Sequence, residues 1–254
     1  MNNLNISDRL EKVANCVCKG SRVADIGCDH AYTAIYLMKN TIARNVVALD
    51  INKGPLERAK KNIETFGLEQ VIDTRLSDGG KELRIGEVDT LLISGMGGRL
   101  TNKILEDSIE VVKNCKQLVL QPQSEIYLVR EYLDNIGYRI IYEDMLIEDG
   151  KFYVIIDARN EYYDSISHQY CGDSTDINNN IQSNKKYKNK ELFDRYGEYL
   201  LVHRNETLYK YLNKNKLKIE MILAGLNSDN NADRIKELND DLQLIREGLK
   251  YYEV

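Results

Sequence analysis

Short segments rich in β-branched residues alternate with segments of helical periodicity between residues 23 and 157, and this alternation restricts the possible folds more than any other feature of the sequence. A strand that is followed by a helix and then by another strand normally lies parallel to that neighbour, in a sheet with helices on both faces. The sequence therefore predicts an α/β fold. Five strands are predicted in this region, at residues 22–26, 45–50, 72–76, 88–94 and 117–121.

Four segments around these strands have apolar residues at helical spacing. The first follows Ser7, which has the short hydroxyl side chain typical of a helix N-cap. The apolar faces of the four helices are predicted to consist of Leu10, Val13, Ala14 and Val17; Leu56, Ala59, Ile63 and Phe66; Leu100, Ile104, Leu105, Ile109 and Val112; and Ile126, Val129, Leu133 and Ile136.

The last two strand-like segments of this region, 138–145 and 152–158, are separated by a short polar stretch that contains Glu148, Asp149 and Gly150. This stretch is too short for a crossover helix, so the two strands are predicted to form an antiparallel hairpin. A parallel, Rossmann-like sheet that ends in such a hairpin is the arrangement of class I methyltransferases. Dinucleotide dehydrogenases normally continue with crossovers instead.

The C-terminal part of the chain has a different composition. Residues 164–189 are rich in Ser, Asn, Asp and Lys and contain few apolar side chains, so they are predicted to be a flexible linker. We therefore expect an α/β domain at residues 1–160, a polar linker at 161–190 and a helical domain at 191–254.

Two series of heptad-spaced residues follow the linker, separated by the turn-rich residues 227–231. They favour two helices that fold back on each other as an antiparallel coiled-coil hairpin, in which case the chain is expected to be a monomer. A continuous coiled coil that dimerises is the alternative. The two series are Leu208, Leu212, Asn215, Ile219, Ile222 and Leu226, and Ile235, Leu238, Leu242, Ile245, Leu249 and Tyr252.

Composition excludes several classes of protein. No apolar run approaches the roughly 18 residues of a membrane span, and the start of the chain lacks the features of a signal peptide, so a cytoplasmic protein without membrane contact is expected. The 5 cysteines are scattered and lack zinc-ligand spacing, so neither a disulfide framework nor a metal site is expected. With a net charge of -5, any contact with nucleic acid must come from a local basic patch.

The turn after the first strand, Asp25-Ile26-Gly27-Cys28-Asp29-His30, lacks the G-x-G-x-x-G fingerprint of dinucleotide-binding proteins. Its two carboxylates would repel a diphosphate, but they suit a cationic ligand without phosphate such as S-adenosylmethionine. Gly27 would let the backbone pass under the methionine part of that ligand, and Asp25 would receive its ammonium group.

Acidic residues also follow the next two strands. Asp50 stands at the end of the second strand, where a carboxylate can accept both ribose hydroxyls. The third strand is followed by Ser77-Asp78-Gly79, where an acid can accept the exocyclic amine of adenine. Each acid taken alone could instead be a solvated loop residue or a helix cap. Together, the three strand ends predict a site for S-adenosylmethionine.

The fourth strand ends in Ser94-Gly95-Met96-Gly97-Gly98. Enzymes that methylate exocyclic amines of bases commonly have an Asn/Asp-Pro-Pro-aromatic loop here, and neither proline nor an aromatic residue is present, so that chemistry is disfavoured. Three glycines would let a flat substrate lie against the backbone near the methyl group. A tight strand-to-helix turn without a role in binding is the alternative.

The sequence resembles the bacterial tRNA (adenine-22-N1)-methyltransferase family known as TrmK in four features. They are the turn at residues 25–32, the glycine-rich turn at residues 94–98, Leu120-Gln121-Pro122 and the C-terminal heptads. The resemblance covers residues 1–160 well and 190–254 loosely. It implies methyl transfer from S-adenosylmethionine to N1 of an adenine in the D-arm of tRNA, with Asp29, His30 and Gly97 as candidate catalytic residues. The candidate cofactor-binding residues are Asp25, Gly27, Cys28, Asp50, Ile51, Ser77, Asp78, Gly79, Ser94, Gly95 and Met96.

Residues 185–218 contain ten Lys or Arg against four acids, whereas the following residues are acidic overall. One arm of the helical hairpin could therefore bind phosphates, and a solvated helix face is the alternative. Competing functions are a methyltransferase of a small molecule or a protein, a non-enzymatic RNA-binding protein on the same fold, and a dehydrogenase. The candidate tRNA-binding residues are Lys186, Lys190, Arg204, Lys210, Lys214 and Lys218.

Overall fold

The computed structural model describes residues 4–160, 189–226 and 231–253. One seven-stranded sheet dominates the described residues, with the strand order β3-β2-β1-β4-β5-β7-β6. The strands are β1 (Ser21–Ile26), β2 (Ala43–Asp50), β3 (Ile72–Leu76), β4 (Thr90–Met96), β5 (Gln117–Pro122), β6 (Tyr138–Glu148) and β7 (Lys151–Asn160).

Helices connect the parallel strands except β3 and β4, which are joined by a loop, and a helical segment follows the sheet. Ser7 caps the first helix, because its side chain accepts a hydrogen bond from the Leu10 amide. The helices are α1 (Asp8–Asn15), α2 (Tyr32–Lys39), α3 (Lys53–Phe66), α4 (Gly98–Asp107), α5 (Ile109–Lys113), α6 (Ile126–Asn135), α7 (Lys190–Tyr196), α8 (Glu198–Val202), α9 (Glu206–Gly225) and α10 (Ala232–Leu249).

The central strands are parallel and buried, and the last pair reverses direction. β1 pairs in parallel with β2 and β4, and β4 pairs in parallel with β5. β7 then pairs with β5 in antiparallel orientation and carries β6 at the edge of the sheet. The predicted fold class is therefore confirmed: a Rossmann-like methyltransferase sheet with a terminal hairpin. Its carboxyl edge gathers the loops that follow β1, β2, β3 and β4.

The predicted apolar face that begins at Leu100 is wrong in part. Ser108 has non-helical backbone angles and divides the segment into α4 and α5, so its residues do not form one continuous stripe. Within α4 the buried side includes Thr101 and Leu105, and Leu100 lies at the border of that side with half of its surface exposed. At about 100° per residue, Leu100 and Thr101 cannot both point at the centre of one face.

The described residues form two compact units. The first contains residues 4–143 and 153–160, and the second contains residues 144–152, 189–226 and 231–253. The tip of the β6–β7 hairpin therefore belongs to the same unit as the C-terminal helices. Among the described residues, no helix has the length and apolar character that crossing a bilayer requires.

Helices α9 and α10 pack against each other in antiparallel orientation. Gly248 lies against Leu212, and beyond it the Tyr252 hydroxyl donates to the Asn205 carbonyl, so the end of α10 lies beside the start of α9. Leu208, Leu212, Leu238, Leu242 and Ile245 are buried, as their heptad positions predict. Ile222 is 36% exposed, so the seam opens towards the turn. These contacts within one chain are those of a helical hairpin, and a regular coiled coil along its whole length stays a prediction.

Candidate cofactor and substrate site

Asp25 is the most unusual residue at the carboxyl edge of the sheet. It lies in β1, is only 3% exposed, and its Oδ2 atom has no hydrogen-bond partner among the described residues. Burial raises the pKa of its carboxyl to about 7, although a hydrogen bond from the Ala34 amide opposes this shift and the nearby charge of Asp50 adds to it. A buried carboxylate without a partner is costly, so this atom is suited to receive a cationic ligand group.

The turn after Asp25 brings the backbone close to its neighbours. The Gly27 and Cys28 amides both donate to the Leu49 carbonyl, which ties the turn to β2. Gly27 has a φ of 77°, and a Cβ atom at this position would collide with the terminal methyl of Met96. Burial raises the pKa of the Cys28 thiol, so Cys28 acts here as an apolar packing residue.

Asp50 and Ile51 provide the second predicted contact. Asp50 is 8% exposed at the end of β2, and its Oδ1 accepts the Asn52 amide at 2.8 Å. The next side chain, Ile51, is 60% exposed, which is unusual for isoleucine. A carboxylate beside an exposed apolar side chain fits a ribose whose attached base lies flat against that side chain.

In the turn after β3, the polar side chains that were predicted to contact the cofactor already have partners within the protein. The Ser77 hydroxyl donates to the Gly79 carbonyl and accepts from the Glu82 amide, so it serves to shape the turn. Asp78 is exposed and forms an ion pair with Lys81, which lowers the pKa of its carboxyl. Contact between Asp78 and an adenine amine would therefore compete with this surface ion pair.

Asp29 and His30 lie in a strained turn just before α2. His30 and Ala31 have φ values of 61° and 57°, in the left-handed region that non-glycine residues rarely occupy. The Asn62 side chain supports the turn by donating to the His30 carbonyl at 2.9 Å. Two consecutive left-handed residues therefore store backbone strain in this turn.

The Asp29 carboxylate is accessible at this mouth. Its side chain is 63% exposed, and its Oδ1 lies 3.3 Å from the Arg58 guanidinium and 3.6 Å from His30 Nε2. The His30 ring stacks on Tyr32 with the two planes nearly parallel. The structure therefore brings both candidate catalytic side chains together at one edge.

The glycine-rich turn after β4 requires its glycines for different reasons. Gly95 has a φ of 84°, which favours glycine. A Cβ atom at Gly98 would lie 2.5 Å from the Glu125 carbonyl oxygen and 2.7 Å from that of Ser124, so no other residue fits there without a backbone shift. Gly97 precedes the first turn of α4 and leaves its carbonyl to accept from Thr101. At Gly98 the turn therefore brings the backbone of α4 close to the backbone that precedes α6.

Two arginines at this edge are absent from the sequence-based prediction. Arg58 comes from α3 and reaches Asp29, and Arg9 comes from α1 and reaches Ser94 and Gln121. Both contacts join residues far apart in the sequence and belong to otherwise ordinary helix surfaces. No local pattern could have indicated them.

The predicted tRNA-binding residues lie in the second unit, apart from Lys186, which lies outside the described residues. Lys190 forms an ion pair with Asp194 at 2.8 Å. Lys214 lies 5.4 Å from the centre of the Phe152 ring. Arg204 is exposed, as are Lys210 and Lys218, which lie two turns apart on α9. Within the described ranges, no group of three or more His, Cys, Asp or Glu side chains could hold a metal ion.

Comparison with known proteins shows the family to which this chain belongs. A family model described as a methyltransferase domain matches residues 6–156. The tRNA (adenine(22)-N(1))-methyltransferase of Bacillus subtilis (strain 168) is 32% identical over 258 residues, which span 99% of this chain and 100% of that protein.

Solved structures also match over almost the full length. The crystal structure of a putative tRNA (m1A22) methyltransferase of Streptococcus pneumoniae is 29% identical with a TM-score of 0.81, covering 96% of this chain and 100% of that one. The structure of the same protein in complex with S-adenosyl-L-methionine is 29% identical with a TM-score of 0.78 and the same coverage. The chain therefore belongs to the tRNA (adenine(22)-N(1))-methyltransferase family, within the larger group of proteins that have a methyltransferase domain.

Proposed function

We propose that this protein transfers a methyl group from S-adenosylmethionine to N1 of an adenine in tRNA, at position 22 of the D-arm. The observation that carries the proposal is the buried Asp25 carboxylate near the end of β1, whose Oδ2 has no partner among the described residues and where the cofactor's cationic end would bind. A buried carboxylate oxygen without a partner is costly, and such an atom is retained where a ligand compensates it.

The cofactor would be held by residues from four strand ends and would supply the methyl group. Asp25 would bind its ammonium group, and Asp50 its ribose hydroxyls. Ile51 would cover one face of its adenine. The remaining proposed contacts come from the turns after β1, β3 and β4, at Gly27, Cys28, Ser77, Asp78, Gly79, Ser94, Gly95 and Met96.

The reaction needs little proton chemistry. N1 of adenine has an in-plane lone pair and no proton, so attack on a methyl group requires alignment rather than a strong base. The methylated base is cationic, so a carboxylate near it stabilises the charge that develops during transfer. Asp29 would take that role, with His30 beside it, and the Gly97 backbone would support the base. Because N1 is hidden by pairing or stacking in a folded arm, the target base must first leave the stack.

The second unit would bind the phosphates of the tRNA. Its basic residues cluster before residue 219, and phosphate contacts from Lys and Arg provide most of the affinity of such complexes. Lys186, Lys190, Arg204, Lys210, Lys214 and Lys218 remain the proposed contacts. We further propose that the protein acts in the cytoplasm as a monomer.

Nucleoside analysis tests the function directly. After incubation of unmodified tRNA with the protein and S-adenosylmethionine, mass spectrometry of the nucleosides should show 1-methyladenosine, and mass spectrometry of nuclease fragments of the same tRNA should place it at position 22. If transfer occurs only to a small molecule or a protein, the tRNA stays unmodified although the cofactor binds. If the cofactor does not bind at all, the chain is an RNA-binding protein on a methyltransferase fold.

Charge reversal on α9 should weaken tRNA binding. Lys210→Glu combined with Lys218→Glu is expected to lower tRNA affinity at least tenfold, and to reduce the slope of log affinity against log salt by roughly 0.7–0.9 for each phosphate that the protein no longer neutralises. Both side chains are exposed, and neither is Lys214, which packs on Phe152. Filter binding over a salt series measures both quantities.

The matched control is Lys236→Glu combined with Lys250→Glu, which changes the net charge equally at exposed positions of α10 and just after it. This control should leave the salt slope unchanged. Equal decreases in affinity for both double variants would mean that only the net charge matters, and would remove the α9 face from the proposed tRNA interface.

A further inference from the structure

Three side chains form a hydrogen-bonded cluster at the carboxyl ends of β4 and β5. Arg9 Nη1 donates to Gln121 Oε1 at 2.6 Å and to Ser94 Oγ at 3.2 Å. The Ser94 hydroxyl lies 3.1 Å from the same Gln121 oxygen. The Arg9 guanidinium also lies 5.1 Å from the centre of the Tyr153 ring, a cation–π contact that fixes its position.

The chemistry of the arginine determines the direction of every bond in this cluster. A guanidinium only donates, so the Gln121 atom that it contacts must be the oxygen and not the amide nitrogen. That oxygen only accepts, so the Ser94 hydroxyl must donate its proton to it. Ser94 also accepts a bond from Arg9, and a hydroxyl oxygen has two lone pairs. Ser94 therefore has one remaining lone pair and no proton for a ligand, which makes it an acceptor only.

Ser94 lies at the carboxyl edge of the sheet, next to the turn that follows β1. Ile93 is in register with Ile26 of β1, so Ser94, the next residue of β4, lies beside Gly27 in the turn that follows β1. The paired residues Ile93 and Ile26 share one face of the sheet. Ser94 and Asp25 are their neighbours along the two strands, so both point to the opposite face. Ser94 is half-buried, whereas Gln121 behind it is fully buried. Ser94 is thus the less buried end of a hydrogen-bonded chain that runs to Gln121.

An acceptor at this point distinguishes adenine from guanine-like bases. In adenine the group beside N1 is an amine, which donates, whereas in guanine or hypoxanthine it is a carbonyl, which accepts. A fixed acceptor would bind the amine and would face the carbonyl with like partial charge. A site built around a substrate's hydrogen-bonding group rejects analogues that lack it more strongly than an apolar pocket can.

We propose that the Ser94 hydroxyl oxygen accepts a hydrogen bond from the exocyclic amine of the target base, and that this bond selects adenine. The inference rests on the proposed function and extends it to base selection. Arg9 and Gln121 are positioning residues, because they act through the direction of the Ser94 hydroxyl. The backbone of Ser94 stays available to the cofactor.

The test compares two tRNAs, prepared by ligation, that carry either adenosine or purine riboside at the target position. Purine riboside retains N1 but has hydrogen in place of the amine. It is also an intrinsically weaker nucleophile, so the informative quantity is the ratio of kcat/KM for the two tRNAs and its change between protein variants. We expect this ratio to be roughly five- to tenfold smaller in Ser94→Ala than in the wild-type protein, because the variant loses the bond to the amine in only one of the substrates.

Two further variants separate selection from folding. Arg9→Met leaves the serine in place but frees its hydroxyl to rotate, so the ratio should again fall, whereas Ser124→Ala removes a nearby hydroxyl outside the cluster and should keep the wild-type ratio. An unchanged ratio in both Ser94→Ala and Arg9→Met would overturn the inference while leaving the methyltransferase activity established. Absence of transfer to the adenosine tRNA by the wild-type protein would instead refute the proposed function itself.

Discussion

Asp29→Asn is expected to lower kcat for methyl transfer by about 100-fold or more while changing the dissociation constant of S-adenosylmethionine only slightly. The proposed role of Asp29 is to stabilise positive charge that exists only once the methyl group has begun to move, so its removal should affect the transition state and not the bound cofactor. Single-turnover kinetics with saturating tRNA measures the first quantity, and calorimetry with the cofactor alone measures the second.

The exposure of Asp29 makes the control important, because a carboxylate that is 63% exposed and paired with Arg58 is well screened in the empty protein. The Asp29 carboxylate can stabilise charge on the substrate strongly only when the target base covers it. Glu57→Gln, an equal change in charge on the exposed surface of α3, should leave kcat unchanged. Equal decreases in kcat and in cofactor affinity for Asp29→Asn would contradict the assignment and make Asp29 a cofactor-binding residue.

The strand ends of this site are predictable from the sequence because they depend on local patterns. A buried parallel strand is a short apolar run, and the residues that follow it lie at one edge of the sheet whatever the rest of the chain does. Asp25, Asp50 and Ser94 therefore come to one edge as predicted. The terminal β6–β7 pair is equally predictable, since the short polar stretch between the two strands permits only a hairpin.

Other features depend on contacts that no local pattern encodes. Arg9 reaches Gln121 across 112 positions of the sequence, and Arg58 reaches Asp29 across 29. Spacing alone predicts that Leu100 is buried, and the break at Ser108 changes the outcome. The ion pair of Asp78 with Lys81 spans only three residues, so it could be predicted from the sequence. Whether Asp78 binds Lys81 or an adenine amine depends instead on the ligand.

Asp25→Asn is expected to weaken S-adenosylmethionine binding by about 100-fold or more, because removing one partner of a buried ion pair typically costs roughly 3–5 kcal/mol. The same change should make the ligand-free protein more stable at about pH 8, by an amount of the order of 4 kcal/mol. The pKa of the Asp25 carboxyl is raised from 3.8 to about 7 in the folded protein. Between these two values the unfolded chain is ionised while the folded chain still holds its proton, so stability falls as pH rises through this window.

Thermal or urea unfolding of the ligand-free protein over a pH series measures this dependence, which Asp25→Asn should remove. Cofactor affinity should change in the opposite direction, increasing in the wild-type protein from about pH 6 to about pH 7.5 as the carboxyl becomes ionised. Asp78→Asn is the contrasting variant, because Lys81 lowers the pKa of its exposed carboxyl and no gain in stability is expected. If Asp25→Asn lowers stability at high pH and cofactor affinity together, then Asp25 supports the fold of the turn, and its unpartnered oxygen is not the cofactor's counter-charge.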